Sequence, residues 1–350
     1  MAATIFVTTA FGLPINASAV QPGTVTIRIS AVGDCTLGND EKQAGIGNCF
    51  NNVYAQNGAD YFLSGAKPYF AMDDFTIANL EGTLTDLGEA RTDKDWRFRG
   101  KPEYTDILTH ASVEGVAFSN NHCRDYGPES YTDTISNVTK AGLLCASEEM
   151  IGYRNIKGIN VAFIAITSAF RASDAPKDRE YADTQYIKKI IKTTVDSAKA
   201  SGAQLIVMNL HFGIEREKNP SSQQKELAHY AVDCGADVVL GHHPHVLQPV
   251  EYYNGAYIAY SLGNFCFGGN TKAKNKDTII WQQEFTFTGG VKTGQKVQVI
   301  PFLISSDPNL NNYCPVPATG NDYTRIIGKI SSYSWKYGVA VGTDGVLTVK

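Results

Sequence analysis

Short apolar runs alternate with longer amphipathic stretches over most of the chain. The first run, residues 24–32, alternates β-branched with polar residues, as half-buried strands do. Later runs of the same kind predict six further strands, at residues 75–80, 115–119, 160–166, 204–210, 237–240 and 256–262. Helical periodicity lies between some of them, which predicts an α/β architecture with short strands buried beneath helices.

Two amphipathic helices are predicted in the second half of the chain, at residues 186–200 and 221–234. The second has a defined start and end, because Pro220-Ser221 favours helix initiation and Gly235 favours termination. Both helices adjoin predicted strands, so each is expected to cover a sheet.

The pattern changes after about residue 275. Residues 278–288 and 296–302 flank Gly289-Gly290 and predict a β-hairpin. A polar loop, an amphipathic helix and a short strand are predicted to follow, at residues 307–317, 322–337 and 346–349. We therefore predict a domain at residues 24–270 and a C-terminal hairpin-and-helix extension at residues 271–350 that packs on it.

The N-terminus resembles the end of a secretory signal. Residues 5–15 are mostly apolar and precede Asn16-Ala17-Ser18-Ala19, a small-x-small cleavage pattern, although no basic segment comes first. Residues 1–23 are interpreted as a truncated signal peptide, with an apolar strand or tag as the alternative. We expect a bacterial protein located outside the cell or at its surface.

Composition narrows the function only slightly. The 350 residues are 43% hydrophobic and 19% charged with a net charge of −4, which indicates a globular chain and gives no reason to expect a nucleic-acid partner. Seven cysteines are too few for a disulfide scaffold in a chain of this length. Cys234 and Cys266 are interpreted as core residues, while Cys35 and Cys123 adjoin candidate site residues and could pair or contact a metal.

Polar side chains of metal-binding type follow five of the predicted strands. These residues, in chain order, are Asp34, Glu81, the run Asn120-Asn121-His122, His211, and the pair His243 and His245. Because sites of open α/β sheets form outside the carboxyl ends of the strands, we expect these groups to meet at one edge. Each could be a surface group by itself, as we interpret His110 and His229, and His242 stays open beside the better-spaced pair.

Carboxylates combined with imidazoles suit a divalent transition metal such as Mn, Zn or Fe rather than calcium. A carboxylate can bridge two ions, and two ions against two carboxylates leave a surplus of about +2 charges. That surplus favours an anionic substrate and a metal-bound hydroxide as the attacking group.

These motifs resemble the CapA family of poly-gamma-glutamate capsule synthesis, within the calcineurin-like metallophosphoesterase superfamily. The resemblance spans residues 26–270 and is most specific over residues 235–267, which include His243-Pro244-His245 and Ser261-Leu262-Gly263-Asn264-Phe265. It implies a four-layer αββα sandwich, in which two sheets lie face to face with helices outside.

The resemblance also implies a role for each site residue. Asp34 and His245 would bind a first metal, with Glu81 bridging to a second. Asn121, His211 and His243 would complete that second site, and His122 would assist the leaving group. The residues expected to support them or to contact substrate are Asn79, Asn120, Asp125, Glu215 and Asn264.

One departure concerns the first motif, where the superfamily has Asp-x-His. Asp34-Cys35-Thr36 carries threonine at the histidine position, so the first metal would lose an imidazole. One or two ions are therefore expected.

Two functions follow from these patterns. The first is hydrolysis of an anionic ester by metal-bound hydroxide, with amide hydrolysis as a chemical variant. The second is a non-catalytic metal-containing accessory that binds or helps to export anionic poly-gamma-glutamate. The expected partners are an anionic substrate or polymer and membrane-bound capsule synthesis machinery. A TIM-barrel hydrolase is the alternative fold, disfavoured because its His-x-His pair normally opens the site.

Overall fold

The structure is a computed structural model that describes residues 23–169 and 183–350. The predicted signal peptide lies outside these residues except for Gly23. Within the described ranges, no helix is both long enough and apolar enough to cross a bilayer.

The described chain contains short strands interspersed with helices. The strands are β1 (Thr24–Thr36), β2 (Phe75–Leu80), β3 (Thr83–Leu84), β4 (Arg99–Gly100), β5 (Gly115–Phe118), β6 (Leu144–Ser147), β7 (Gly152–Ile156), β8 (Ile159–Thr167), β9 (Leu205–His211), β10 (Val238–His242), β11 (Val250–Tyr253), β12 (Ala256–Ala259), β13 (Asn264–Phe267), β14 (Asp277–Thr288), β15 (Val291–Leu303), β16 (Val316–Pro317), β17 (Val339–Val341) and β18 (Leu347–Val349). The α-helices are α1 (Phe50–Asn57), α2 (Lys67–Phe70), α3 (Thr105–Thr109), α4 (Gly127–Lys140), α5 (Thr184–Ala200), α6 (Ser222–Cys234) and α7 (Gly320–Ser334).

Two large sheets form the centre of the protein. The first has the order β16-β15-β14-β1-β2-β5-β6, with β13 also paired to β1. The second has the order β11-β12-β10-β9-β8-β7. All seven predicted strands are present, and α6 begins and ends as predicted, with a capping box at Ser221 and a left-handed Gly235.

Three apolar clusters separate four layers. The cluster between the sheets joins Ile29 and Phe75 of the first sheet to Phe163 and Val207 of the second. A second cluster places the other face of the first sheet against α1 to α4, and a third packs α5 and α6 against the second sheet. The αββα sandwich predicted from the sequence is therefore confirmed, and the alternative barrel is wrong.

The topology brings the ends of the parallel strands to one edge. β1, β2 and β5 run parallel in the first sheet, as do β8, β9, β10 and β12 in the second. β1 continues four residues beyond its predicted end, since Asp34 pairs with Asn264 of β13. Gly33 permits this approach, because a Cβ there would lie 1.8 Å from the carbonyl oxygen of Gly263.

The C-terminal segment contributes to the first sheet. The predicted hairpin is β14 and β15, and β14 pairs antiparallel with β1 from Thr24 opposite Thr288 to Val32 opposite Ile280. Helix α7 starts two residues earlier than predicted, and its Ile326 and Ile330 enter the cluster between the sheets. The family-like segment and the C-terminal segment thus share one apolar core.

An ion cluster ties α7 to β14. The buried carboxylate of Asp277 pairs with Arg325 and Lys329. We expect Asp277→Ala to lower the free energy of unfolding by about 1–3 kcal/mol, because it removes the ion pair of Lys329 and one of the two ion pairs of Arg325, which keeps Asp322. Urea unfolding would measure this, with Glu103→Ala as the control, since the exposed Lys101–Glu103 pair is worth less than about 1 kcal/mol.

Candidate metal centre

Glu81 lies at the centre of the polar cluster, one residue beyond β2. Its side chain is fully buried, and neither carboxylate oxygen has a hydrogen-bond partner among the described residues. Its Oε1 lies 3.9 Å from Nε2 of His122, 3.9 Å from Nε2 of His211 and 3.8 Å from Nε2 of His245. Two ligand atoms on one transition-metal ion lie at most about 4.2 Å apart, so a divalent ion fits between this carboxylate and these rings.

The electrostatics at Glu81 favour a bound cation. Burial raises the pKa of Glu81 well above its usual range, and the carboxylates of Asp34 and Asp125 add to this, although His245 opposes it. A buried carboxylate that accepts no hydrogen bond is stable in its ionised form only beside a positive charge. The cluster therefore has the donor set and the charge that a divalent ion needs.

Asp34 and His245 form the first half of the centre. Asp34 Oδ1 accepts a hydrogen bond of 2.8 Å from Asn79, and Oδ2 lies 2.9 Å from His245 Nδ1. His245 Nδ1 also lies 2.8 Å from Asn264 Oδ1. Ligand atoms of Asp34, Glu81 and His245 all lie within 4.8 Å of one another, which places one candidate ion site among them.

Asp34 and His245 stabilise each other's charged forms across their hydrogen bond. Burial opposes a charged His245 ring, but the carboxylates of Glu81 and Asp34 outweigh it and raise the pKa of His245 to about 10. Burial likewise opposes ionisation of Asp34, yet the imidazoles of His242 and His245 hold its pKa well below the usual range. An ion that binds here must displace the proton of His245.

Asn121, His211 and His243 form the second half. His211 Nε2 lies 2.7 Å from Asn121 Oδ1, and the rings of His211 and His243 are 4.9 Å apart between centroids. Burial and the charge of His245 lower the pKa of His243 to about 3, so this ring is neutral, as a metal ligand must be. The backbones of His243 and His245 have φ of 95° and 57°, and strain of this kind concentrates at functional sites.

His122 is held at the edge of the cluster by Asp125. Its Nδ1 lies 2.7 Å from Asp125 Oδ2, which leaves Nε2 facing Glu81. Burial lowers the pKa of His122, although Asp125 opposes this shift. Asn120 fixes the segment, because its amide donates to the carbonyl of Leu80 at 2.7 Å and accepts from the His122 amide at 3.0 Å.

The residues predicted from the sequence meet, with one exception. Glu215 is exposed and influences Glu81 and His245 only through its charge. The other predicted residues lie in the cluster just described or contact it directly. His110 and His229 pair elsewhere, with Asp60 and Glu251, at 3.0 Å in both cases.

Two further residues lie beside the site: His242, which the sequence left open, and Lys94, which it missed. His242 is buried, its Nδ1 lies 3.6 Å from Asp34 Oδ1, and it stands opposite His211 in the pairing of β10 with β9. Strand alternation could have found it, since it shares the inward parity of Leu240. Lys94 forms an ion pair with Asp125 from a loop whose sequence carries no signal of this contact.

Thr36 and the cysteines next to the site do not add an imidazole or a disulfide to it. Thr36 Oγ1 is buried without a hydrogen-bond partner in the described ranges, and it offers no imidazole. Cys35 and Cys123 are free buried thiols rather than a disulfide, and burial raises the pKa of each to about 12. Cys266 packs in the outer core of the first sheet and Cys234 at the edge of the α5–α6 cluster, as expected for small apolar residues.

Comparisons with known proteins agree with the motifs. The family model described as "Bacterial capsule synthesis protein PGA_cap" matches residues 28–269. The PGA biosynthesis protein CapA of Bacillus subtilis is 27% identical over 318 residues, covering 87% of this chain and 79% of that protein. The capsule biosynthesis protein CapA of Bacillus anthracis is 28% identical over 338 residues, covering 93% of this chain and 77% of that protein. Among solved structures, the NAD nucleotidase of Haemophilus influenzae aligns with a TM-score of 0.42 and 12% identity, covering 88% of this chain and 63% of that chain.

Proposed function

The chain belongs to the bacterial capsule synthesis family PGA_cap, and from this premise we propose that its metal centre hydrolyses an anionic ester, most directly a phosphate ester. The observation that carries the proposal is the buried carboxylate of Glu81, which has no hydrogen-bond partner among the described residues and lies within 3.9 Å of three imidazole nitrogens. Such an arrangement is costly unless it holds a cation.

The residues divide into two sets around Glu81. Asp34 and His245 would hold one divalent ion, and Asn121, His211 and His243 would hold the other. Bound ions of this kind activate water and neutralise the charge that develops on a phosphoryl group. With both ions present, the cluster attracts a substrate with negative charge.

His122 would act on the leaving group. Asp125 fixes Nδ1, so only Nε2 is directed toward the centre of the cluster. A ring held in this way can donate a proton to a departing alkoxide or stabilise its charge. The aromatic ring of Phe98 covers one side of the imidazole, with 4.4 Å between ring centroids, and limits its rotation.

The direct test is hydrolysis by the full-length purified chain. We expect the Mn- or Zn-loaded protein to hydrolyse at least one member of a broad panel of phosphate mono- and diesters, and to lose this activity on treatment with a chelator. Elemental analysis of the untreated protein would report one or two transition-metal ions per chain. A loaded protein that leaves the whole panel intact would contradict the proposal.

Metal binding is expected to release a proton. The pKa of about 10 at His245 means that this ring is charged at neutral pH, so an ion entering beside Asp34 must displace its proton. We expect the ion that binds beside Asp34 to release about one proton at pH 7, and the affinity for Mn²⁺ to rise with pH. Calorimetric titrations in two buffers of different ionisation enthalpy measure the number released, and a value of zero would contradict this prediction.

A second function is favoured by one observation, the threonine at position 36. Without an imidazole there, the first ion has three protein ligands in reach, Asp34, Glu81 and His245. Such a centre could bind the carboxylates of anionic poly-gamma-glutamate at the cell surface, as an accessory to membrane-bound synthesis machinery. In that case His243→Ala would reduce capsule polymer in cells although the purified protein hydrolyses nothing.

A further inference from the structure

Lys94 contacts the site although it does not belong to any of the motifs that follow the strands. It lies in the loop between β3 and β4, and only 15% of its side chain is exposed. Its Nζ donates to the carbonyl oxygen of Asn121 at 2.6 Å, forms an ion pair with Asp125 Oδ1 and lies 3.3 Å from His122 Nδ1. Lys94 therefore contacts the His122 ring and also Asn121 and Asp125, the two residues that adjoin it.

Asp125 connects this loop to His122. Its Oδ2 is shared between His122 Nδ1 at 2.7 Å and the backbone amide of Phe98 at 2.7 Å, while its Oδ1 faces Lys94. The backbone carbonyl of Asp125 accepts a further hydrogen bond from the Arg91 amide at 2.9 Å. The loop thus folds over His122 and is held there through Asp125.

Protein groups already accept hydrogen bonds from the ammonium group of Lys94. Its Nζ donates to the carbonyl of Asn121 and to Asp125, and it lies 3.3 Å from His122 Nδ1, which itself donates to Asp125. A lysine that received a substrate anion would need donors directed to solvent. The contacts of Lys94 instead suit a role inside the site.

We propose that Lys94 is a positioning residue, which fixes Asp125 and Asn121 so that His122 Nε2 stays directed at the leaving group. The inference rests on the proposed hydrolysis. In that reaction His122 starts as the imidazolium, with its Nδ1–H on Asp125. The ester P–O bond breaks as an oxygen of water bonds to phosphorus, and the leaving oxygen takes the Nε2 proton of the ring. A proton of the attacking water then restores the ring, which keeps its Nδ1 hydrogen bond to Asp125 throughout.

The test compares Lys94→Met with wild type on two substrates. Methionine keeps most of the length of the side chain and removes the charge and the donors. We expect kcat to fall about 100-fold on an alkyl phosphate, whose leaving group needs a proton, and about 10-fold or less on 4-nitrophenyl phosphate, with KM changed by less than about 2-fold. Lys94→Arg should recover part of the loss, because it restores the charge and the donors.

Two controls separate positioning from general damage. Lys101→Met removes an exposed lysine that pairs with Glu103 on the surface, and it should leave the rates on both substrates unaffected. Metal content of Lys94→Met should equal that of wild type. Equal losses on the two substrates, or no loss, would overturn the inference while hydrolysis by wild type still supported the proposed function.

A structural measurement decides the inference even if wild type hydrolyses nothing, a result that would remove the proposed function. Crystal structures of wild type and Lys94→Met would compare the His122 ring. We expect the variant to lose the hydrogen bond between His122 Nδ1 and Asp125 Oδ2, or to show the ring in two orientations. A ring with one unchanged orientation would show that Lys94 does not position it.

Discussion

Glu81→Gln is expected to remove metal from the centre and to reduce kcat/KM for ester hydrolysis by about 10³-fold or more. The glutamine has nearly the same shape, but it carries no negative charge to offset a divalent ion. Both halves of the centre depend on this carboxylate, because His211 lies 3.9 Å from Oε1 on one side and His245 lies 3.8 Å from it on the other. Loss of one side chain should therefore affect both ions.

Elemental analysis and steady-state kinetics on the same preparation would measure this effect. Glu114→Gln is the matched control, since Glu114 is a partly buried glutamate that directly precedes β5, and its Oε2 accepts a hydrogen bond of 2.7 Å from the Thr76 amide. That variant should keep its metal and its activity. Retention of two ions by Glu81→Gln would mean that the carboxylate does not bridge them.

Glu81→Gln also separates two contributions to the free energy of unfolding, that of the buried carboxylate and that of the bound metal. Burial raises the pKa of Glu81, so without metal the charged side chain destabilises the folded state, and glutamine relieves that cost. We therefore expect the metal-free variant to be at least as stable as metal-free wild type. With metal, wild type should be the more stable of the two, because an ion that binds only the folded chain adds to its stability.

The parts of the fold set by local pattern were predictable from the sequence. Alternation at residues 24–32 and the buried run at 75–80 identify β1 and β2, and the capping signals at Ser221 and Gly235 locate α6. Because the strands that precede the site residues are parallel within each sheet, the residues after them share an edge, and the face-to-face packing of the two sheets brings the carboxylates and imidazoles together. The layered sandwich followed from the family resemblance.

Tertiary contacts were not predictable in the same way. β1 extends to Thr36 only because Gly33 lets it pass Gly263 of another segment. Lys94 contacts Asp125 across 31 positions of chain from a loop with no regular pattern, so neither periodicity nor spacing indicates it. Glu215 was expected to support the metal ligands or to contact substrate, yet its side chain is exposed.

His242 shows an intermediate case. The spacing of His243 and His245 directs attention to that pair, whereas strand parity places His242 on the inward face, 3.6 Å from Asp34. Its contact with Asp34 helps to hold the pKa of that carboxyl below its usual range. A predicted strand that continued to residue 242, as β10 does, would have placed His242 at the site.

His122→Gln is expected to reduce kcat on an alkyl phosphate by about 10²–10⁴-fold while metal content stays at the wild-type level. Glutamine can accept or donate a hydrogen bond, but it cannot give a proton to a leaving alkoxide. The loss should be smaller on 4-nitrophenyl phosphate, whose leaving group is stable as an anion. Kinetics on both substrates, with metal content measured in parallel, would show the difference.

The control for this variant is His229→Gln, which changes a half-buried histidine that stacks on Tyr253 and pairs with Glu251 at 3.0 Å. It should leave both rates and the metal content unaffected. If His122→Gln instead loses an ion, the ring is a ligand, which its 3.9 Å distance from Glu81 Oε1 allows. If both substrates slow equally with metal retained, His122 orders the site but donates no proton, and the leaving group must obtain its proton from water.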